Sequence, residues 1–95
     1  MTQAQKMQQD LNGTQIIKLD YPINIVTSAG QQQLTELSVR RVTVGDLRFG
    51  AHLKTDAEQE LAMMSRITDL IPEDLDLLDL ADYQKLQLFF RQTTD

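Results

Sequence analysis

Residues 34–48 have the sequence LTELSVRRVTVGDLR, and this stretch contains the change from strand to helix that decides the fold. In its first half, residues suited to a buried strand face alternate with polar ones: Thr35, Leu37 and Val39 against Glu36, Ser38 and Arg40. A period of two is typical of a strand with one face in the core and one in solvent. The first half is therefore predicted to be a half-buried strand.

The second half of this stretch has the longer period of a helix. Thr43 is a candidate N-cap, and Asp46 follows three residues later in the manner of a capping box. Val44 and Leu47 then share one helical face. We predict a first helix from Thr43 to about His52.

A second strand is predicted upstream, because β-branched and aliphatic residues crowd residues 16–26. Pro22 has no backbone N–H to donate, so it marks a sheet edge or a break. Residues 28–31 (SAGQ) have turn composition. The sequence therefore predicts a β-hairpin over residues 15–42, preceded by a flexible, Gln-rich tail at residues 1–13.

More helices are predicted downstream. One opens at Thr55 or Asp56, Pro72 interrupts the pattern, and a last helix capped by Asp79 runs to about Arg91. The apolar residues assigned to one stripe are Leu61, Met64, Ile67 and Ile71 in the first of these helices, and Tyr83, Leu86 and Phe90 in the last. Three hairpin residues, Ile25, Leu37 and Val39, are expected to pack on Leu47, Leu61 and Met64.

The predicted class is α+β, with the hairpin followed by three or so short helices. The chain has 95 residues, 41% of them hydrophobic, which suits one small domain. We assign residues 14–92 to this domain, with helices in 43–92, and residues 93–95 to a C-terminal tail. No apolar run approaches the ~20 residues of a membrane helix. The chain contains no cysteine, which favours a reducing cytoplasm.

Charge is unevenly distributed along the chain, whose net charge is −5. Up to Lys54 there are six basic and four acidic residues, and from Thr55 onward three basic and ten acidic residues. Nucleic-acid binding usually requires a basic surface, and Arg40-Arg41 alone does not supply one. A nucleic-acid partner is therefore disfavoured.

No motif predicts catalysis, a metal or a cofactor. His52 is the single histidine and stands at a predicted helix end, where the C-terminal dipole favours it. The acidic run at residues 73–82 contains no glycine for the turn of a calcium loop. Gly45 and Gly50 are isolated and do not form a phosphate loop. We therefore expect a binding protein rather than an enzyme.

Leu88, Phe89 and Phe90 are consecutive on the last predicted helix. Successive helical residues diverge in direction, so a single buried face does not cover all three. Either the helix is covered on more than one side, or part of the cluster is exposed and contacts a partner. Both interpretations stay open on the sequence alone.

Several short segments together resemble the tail assembly chaperone family of Mu-like contractile-tailed phages. The matching segments, in order, are residues 19–23 (LDYPI), Gly30, residues 34–41 (LTELSVRR), residues 43–48 (TVGDLR), Ile71-Pro72, residues 77–82 (LLDLAD) and Phe89-Phe90. The resemblance spans Leu19 to Arg91. Two departures are Val42, where relatives often carry proline, and the longer Gln-rich start.

The resemblance implies a cytoplasmic protein of the infected bacterium, absent from the finished virion. Its expected client is the tape measure protein, whose apolar helical surface needs cover before the tube encloses it. Further expected partners are a frameshift-extended form of the chain, with Phe89-Phe90 as a candidate slippage site, the tail tube protein, and a second copy of the chain. The residues expected to contact a partner are Tyr83, Leu86, Phe89, Phe90, Leu47 and Arg48. The alternative function is a small acidic phage or prophage regulator that acts through protein–protein contacts.

Overall fold

A computed structural model describes residues 14–94; the predicted tail at 1–13 and residue 95 lie outside this range. The elements, in chain order, are β1 (Gln15–Thr27), β2 (Gly30–Val39), α1 (Val44–Phe49), α2 (Asp56–Thr68), α3 (Pro72–Leu75) and α4 (Leu80–Thr94). The predicted α+β class is confirmed. The part of the chain that the structure describes has four helices, of which α3 is a single turn.

The two strands form an antiparallel hairpin. Ser28 and Ala29 form the turn, and Gly30 follows with a φ of +106°, a conformation that residues with a Cβ rarely adopt. The Thr27 hydroxyl accepts a hydrogen bond from the Ala29 amide at 3.2 Å. The predicted turn is therefore confirmed.

A large irregularity interrupts β1 around Pro22. Lys18 lies opposite Glu36 and Ile23 opposite Leu34, so the four residues 19–22 of β1 face Thr35 alone. Proline supplies no ladder hydrogen bond, and a bulge increases local strand twist. The backbone amides beside Pro22 consequently need hydrogen-bond partners outside the hairpin.

One hydrophobic core lies between the hairpin and the helices. Its buried members are Ile17, Leu19, Ile23, Leu37, Val39, Met64, Ile67, Leu70, Leu75, Leu86 and Phe89. A two-stranded sheet is marginal in water and needs such a helical cover. The Arg40 amide also donates to the Ile67 carbonyl at 3.1 Å, which ties the end of β2 to α2.

Asp46 is fully buried and joins three elements. Arg40, just after β2, donates to both carboxylate oxygens at 2.7 and 2.8 Å, and Arg66 of α2 donates through Nε at 2.9 Å. The Thr43 amide donates to the carboxylate at 2.7 Å and the Thr43 hydroxyl accepts from the Asp46 amide, so the predicted capping box is confirmed. The Arg66 guanidinium also lies 4.8 Å from the centre of the Phe49 ring.

Asp82 is the second fully buried carboxylate, and it holds the irregular part of β1 on α4. Its two oxygens accept hydrogen bonds from the amides of Asp20 at 2.9 Å and Tyr21 at 3.0 Å. Lys85 lies 3.3 Å from Asp82 and 3.0 Å from Asp20, and donates to the Lys18 carbonyl at 2.9 Å. Amides that the hairpin ladder leaves without partners are thereby satisfied.

The two carboxylates change which apolar residues are buried. Leu37, Val39 and Met64 share the core and Ile25 packs against it, as predicted, but Leu47 is 59% exposed and Leu61 40% exposed. The prediction for Leu47 and Leu61 was wrong. In α1 the inward position belongs to Asp46, and the next residue along a helix points about 100° away.

The chain around α2 and α3 also departs from the predicted stripe. Helix α2 ends at Thr68, and Asp69 adopts a left-handed conformation with a φ of 59°. This turn buries Leu70 and leaves Ile71 exposed before Pro72. Ile71 was predicted on the same face as the α2 residues, but a helical period does not continue beyond a left-handed residue.

The last helix extends beyond Arg91, the predicted end, to Thr94, so residues 93 and 94 are helical rather than tail. Asp79 Oδ1 accepts from the Ala81 amide at 2.9 Å, which confirms the predicted N-cap. At the other end the Thr93 hydroxyl donates to the Phe89 carbonyl at 3.0 Å, and Arg41 donates to the Thr93 carbonyl at 2.7 Å. The Arg41 bond satisfies a carbonyl that the helix end leaves open, and the Thr93 hydroxyl adds a second donor to a carbonyl within the helix.

Replacing Asp46 with Asn should destabilise the domain strongly. Arg40 and Arg66 would lose their counter-charge, but each arginine side chain is 39% exposed and water would partly solvate its charge. We expect a loss of about 2–3 kcal/mol in the free energy of unfolding, below the range for a fully buried pair. Urea denaturation measures this loss, with Asp76→Asn at an exposed position as the matched control, expected within about 0.5 kcal/mol of the unmodified chain. Equal losses in the two variants would contradict the role given to Asp46.

Stability should fall in acid because both buried carboxyls have lowered pKa values. The hydrogen bonds from Arg40 hold the pKa of Asp46 well below its usual range. Burial alone would raise the pKa of Asp82, but the amides of Asp20 and Tyr21, with Lys85, lower it overall. A carboxyl that is more acidic in the folded state stabilises the fold above its unfolded pKa of about 3.9 and loses that contribution as pH falls further.

The unmodified chain should therefore lose stability steeply between about pH 5 and pH 2. Asp46→Asn should show a shallower slope over the same interval, because one of the two linked protonations has been removed. Urea denaturation at several pH values measures both slopes. Parallel curves for the two proteins would show that Asp46 does not have the lowered pKa assigned to it.

Candidate functional site

An apolar cleft of about 250 Å³ opens beside α2. The first half of α2 forms its floor, the loop after α1 forms one wall, and α3 forms the other. The lining residues are Leu53, Glu58, Leu61, Ala62, Pro72, Leu75 and Asp76. Two of the seven are acidic and the others are apolar.

A close contact between α1 and α2 positions the first wall of the cleft. A Cβ added at Gly50 would lie 2.9 Å from the Ala62 Cβ and 3.3 Å from the Gln59 carbonyl oxygen. Only glycine allows the end of α1 to approach α2 so closely without a shift. The Leu53 amide then donates to the Gly50 carbonyl, and the Gln59 side chain donates to the Leu53 carbonyl at 2.9 Å. These bonds fix Leu53 at the cleft.

The opposite wall depends on the chain reversal around Pro72. Proline is the first residue of α3, where its missing N–H leaves no helical bond unmade. The Leu75 side chain is buried and forms the base of this wall. Ile71 and Leu77, adjacent in sequence to the lining residues, are each more than half exposed. Exposed apolar side chains close in sequence to an apolar cleft are consistent with a protein-binding surface.

The size and lining of the cleft limit what it can hold. A site for a drug-sized molecule occupies roughly 300–1,000 Å³, more than this cleft offers, whereas one or two aliphatic side chains of a partner need less. Within residues 14–94, no group of three His, Asp or Glu side chains is placed to hold a metal ion. No helix in the same range is long and apolar enough to cross a membrane. The arrangement is suited to contacts with another protein.

A second groove of about 210 Å³ lies between β1 and α4. Its lining residues are Gln15, Ile16, Ile17, Lys85, Leu88, Phe89 and Gln92. Leu88 is 53% exposed here, whereas the neighbouring cluster member Phe89 is buried. The lining is more polar than that of the α2–α3 cleft, and Lys85 is already paired with Asp20 and Asp82.

The structure decides the alternatives that the sequence left open for the cluster at residues 88–90. Phe89 is only 4% exposed and lies in the core, Leu88 faces solvent, and Phe90 is half-buried against the core. Leu86, another predicted contact residue, is fully buried. Leu86 and Phe89 are therefore packing residues in this fold, and a partner could reach little of either.

Tyr83, a further predicted contact residue, braces α4 against α2. Its hydroxyl donates to Glu60 Oε2 at 2.8 Å, and Gln87 Nε2 lies 3.3 Å from the same oxygen. Burial and the adjacent Glu60 raise the pKa of Tyr83 well above its usual range, so the hydroxyl stays protonated as a donor. Tyr83 is half-buried, which leaves part of the ring accessible.

Leu47 and Arg48 are both exposed on α1. They are accessible to a partner, as a contact role requires, but they lie on a different element from the four predicted residues of α4. The structure does not bring the six together into one surface.

Sequence reasoning missed the α2–α3 cleft. Leu61 was assigned to the core stripe, and Leu53, Ala62, Pro72 and Leu75 were not singled out as a surface. A helical wheel places Leu61 near Met64 but does not locate the edge of the buried sector. The one usable signal was Gly50, whose packing against Ala62 brings the loop wall to α2.

Comparisons with known proteins support the resemblance noted in the sequence. Residues 16–95 match the family model described as "Phage tail assembly chaperone proteins, E, or 41 or 14". No match was found among curated proteins or among solved structures. The matched range covers all of the hairpin except its first residue, all four described helices and both buried carboxylates. The chain belongs to the phage tail assembly chaperone family.

Proposed function

We propose that this chaperone binds the tape measure protein in the cytoplasm of the infected bacterium and keeps it soluble until the tail tube encloses it. The protein acts by binding rather than by catalysis, and it is absent from the finished virion. The observation that carries the proposal is the apolar α2–α3 cleft on a member of this family. Family membership also favours this function over the regulatory alternative.

The chemistry of the cleft suits such a client. A long helical protein exposes apolar stripes before assembly, and exposed stripes aggregate. A groove with an apolar floor binds one face of an amphipathic helix through side chains about one turn apart. Leu61 has 40% of its surface exposed, so it can contact such a helix without any rearrangement of the fold. The net charge of −5 on this chain favours solubility.

Three further elements of the proposed function stay predictions. A frameshift-extended form would require a slippery codon run, for which Phe89-Phe90 is the candidate. Contact with the tail tube protein would be made by the extension, and linking two binding modules raises their effective concentration. Self-association is expected through exposed apolar side chains and the outer strand edge of the hairpin.

Co-expression with the tape measure protein of the same phage tests the proposal. The chaperone should raise the soluble yield of the client, and Leu61→Asp should abolish most of that gain by placing a charge in the cleft. Binding measured on purified proteins should weaken by about tenfold or more, as at a central contact of an interface. Leu61 is preferable to Leu86 or Phe89, because a polar group at either buried position would unfold the domain.

Two matched controls place a new carboxylate on other exposed leucines. Leu47→Asp tests the predicted α1 surface, and Leu88→Asp tests the groove between β1 and α4; both side chains are more than half exposed. The proposal expects both variants to retain the client. Circular dichroism first establishes that all three variants are folded. If only Leu47→Asp or Leu88→Asp loses the client, the binding site lies on that surface rather than in the cleft. If the unmodified chaperone does not raise the soluble yield of the client above that without chaperone, the proposed function is refuted.

A further inference from the structure

The α2–α3 cleft carries negative charge as well as apolar surface. Glu58 and Asp76 both line it. From Leu53 to Asp76 the chain has seven acidic residues, Asp56, Glu58, Glu60, Asp69, Glu73, Asp74 and Asp76, against two basic ones, Lys54 and Arg66. Arg66 is committed to Asp46 at 2.9 Å, so it does little to neutralise this surface.

The two lining carboxylates are available to a partner. Within residues 14–94 the ion pairs use Asp20, Asp46 and Asp82, and none of them uses Glu58 or Asp76. Glu60, by contrast, accepts from Tyr83 on the side of α2 that faces α4. Glu58 and Asp76 are exposed. A basic side chain at the mouth of the cleft would therefore meet carboxylates without intramolecular ion-pair partners.

An apolar floor flanked by carboxylates selects a particular kind of helix. Aliphatic side chains one turn apart fit the floor formed by Leu61 and Ala62. Lysine and arginine have long apolar stems that pack along the edge of such a groove while their charged ends reach its rim. Acidic residues at the edge of the client helix would instead face Glu58 and Asp76 and be repelled.

We infer that the cleft binds segments of the tape measure protein that form an amphipathic helix with an apolar stripe edged by lysine or arginine. This inference rests on the proposed function and adds the chemical class of the segment bound. The exposed charges chiefly increase the association rate and discriminate between segments, and salt screens them.

Binding of overlapping 25-residue peptides that cover the tape measure protein tests the inference. Each peptide carries a fluorescent label, and its affinity for the full chaperone is measured by fluorescence anisotropy. The tightest binders should carry an apolar stripe edged by Lys or Arg. Replacing those basic residues with Gln should weaken binding by about three- to tenfold at low salt, as expected for the loss of exposed ion pairs. The difference should shrink as salt is added.

A charge swap tests the cleft from the side of the chaperone. Glu58→Lys with Asp76→Lys should weaken the basic peptide by a similar factor and strengthen a version whose Lys and Arg are replaced with Glu. The matched control combines Glu36→Lys with Gln31→Lys and Gln33→Lys on exposed positions of β2. Both sets change the net charge by +4, two from each acidic residue and one from each glutamine, so the control corrects for overall charge. Circular dichroism establishes that both sets are folded.

Different outcomes would contradict the charge selectivity of the cleft and the chaperone function itself. Peptides that bind equally well after Lys and Arg are replaced with Gln would overturn the inference and leave the chaperone function standing. An equal effect from the β2 control would show that net charge, rather than the cleft, selects the client. If no peptide binds and co-expression does not raise the soluble yield of the tape measure protein, the proposed function fails as well.

Discussion

The buried carboxylate of Asp46 is the interaction on which the rest of the domain depends. Removing a charge from water costs several kcal/mol, and only close, well-aligned donors offset that cost. Here Arg40 and Arg66 supply them, together with the Thr43 amide. Because these donors come from the end of β2, from α2 and from the start of α1, the carboxylate holds the three elements together in this arrangement.

Asp82 imposes a second constraint, at the irregularity in the middle of β1. The bulge around Pro22 leaves amides that the opposite strand cannot reach, and the Asp82 carboxylate on α4 accepts from two of them. The hairpin is thus held to α2 at the end of β2 and to α4 at the irregular part of β1, and the core lies between these helices and the hairpin. Met64 and Ile67 face this core, which leaves the side of α2 that bears Leu61 free to form the cleft.

Local features of the fold were predictable from the sequence. The hairpin turn at Ser28-Ala29, the caps at Thr43, Thr55 and Asp79, and the break at Pro72 are set by residues within a few positions of one another. Turns, caps and proline breaks depend on interactions within a few consecutive residues, and these residues can be identified directly in a single sequence.

The positions of the buried charges were not predictable in the same way. A carboxylate on a helix is expected in solvent, and only the distant partners of Asp46 and Asp82 make burial favourable. Once these two residues occupy inward positions, the apolar stripes rotate: Leu47 turns outward, and Phe89 turns inward beside Leu86. The core position predicted for Leu47 was wrong for this reason, two of the candidate contact residues, Leu86 and Phe89, are buried, and the cleft beside α2 was missed.

The most direct test is whether the α2–α3 cleft binds the client. Methyl NMR on the leucine-labelled chaperone measures this during a titration with the tape measure protein or its tightest-binding fragment. We predict that the largest chemical-shift changes fall on Leu53, Leu61 and Leu75, which line the cleft, while Leu86 in the core changes little. Changes confined to Leu47 or Leu88, with the cleft methyls unaffected, would contradict this account.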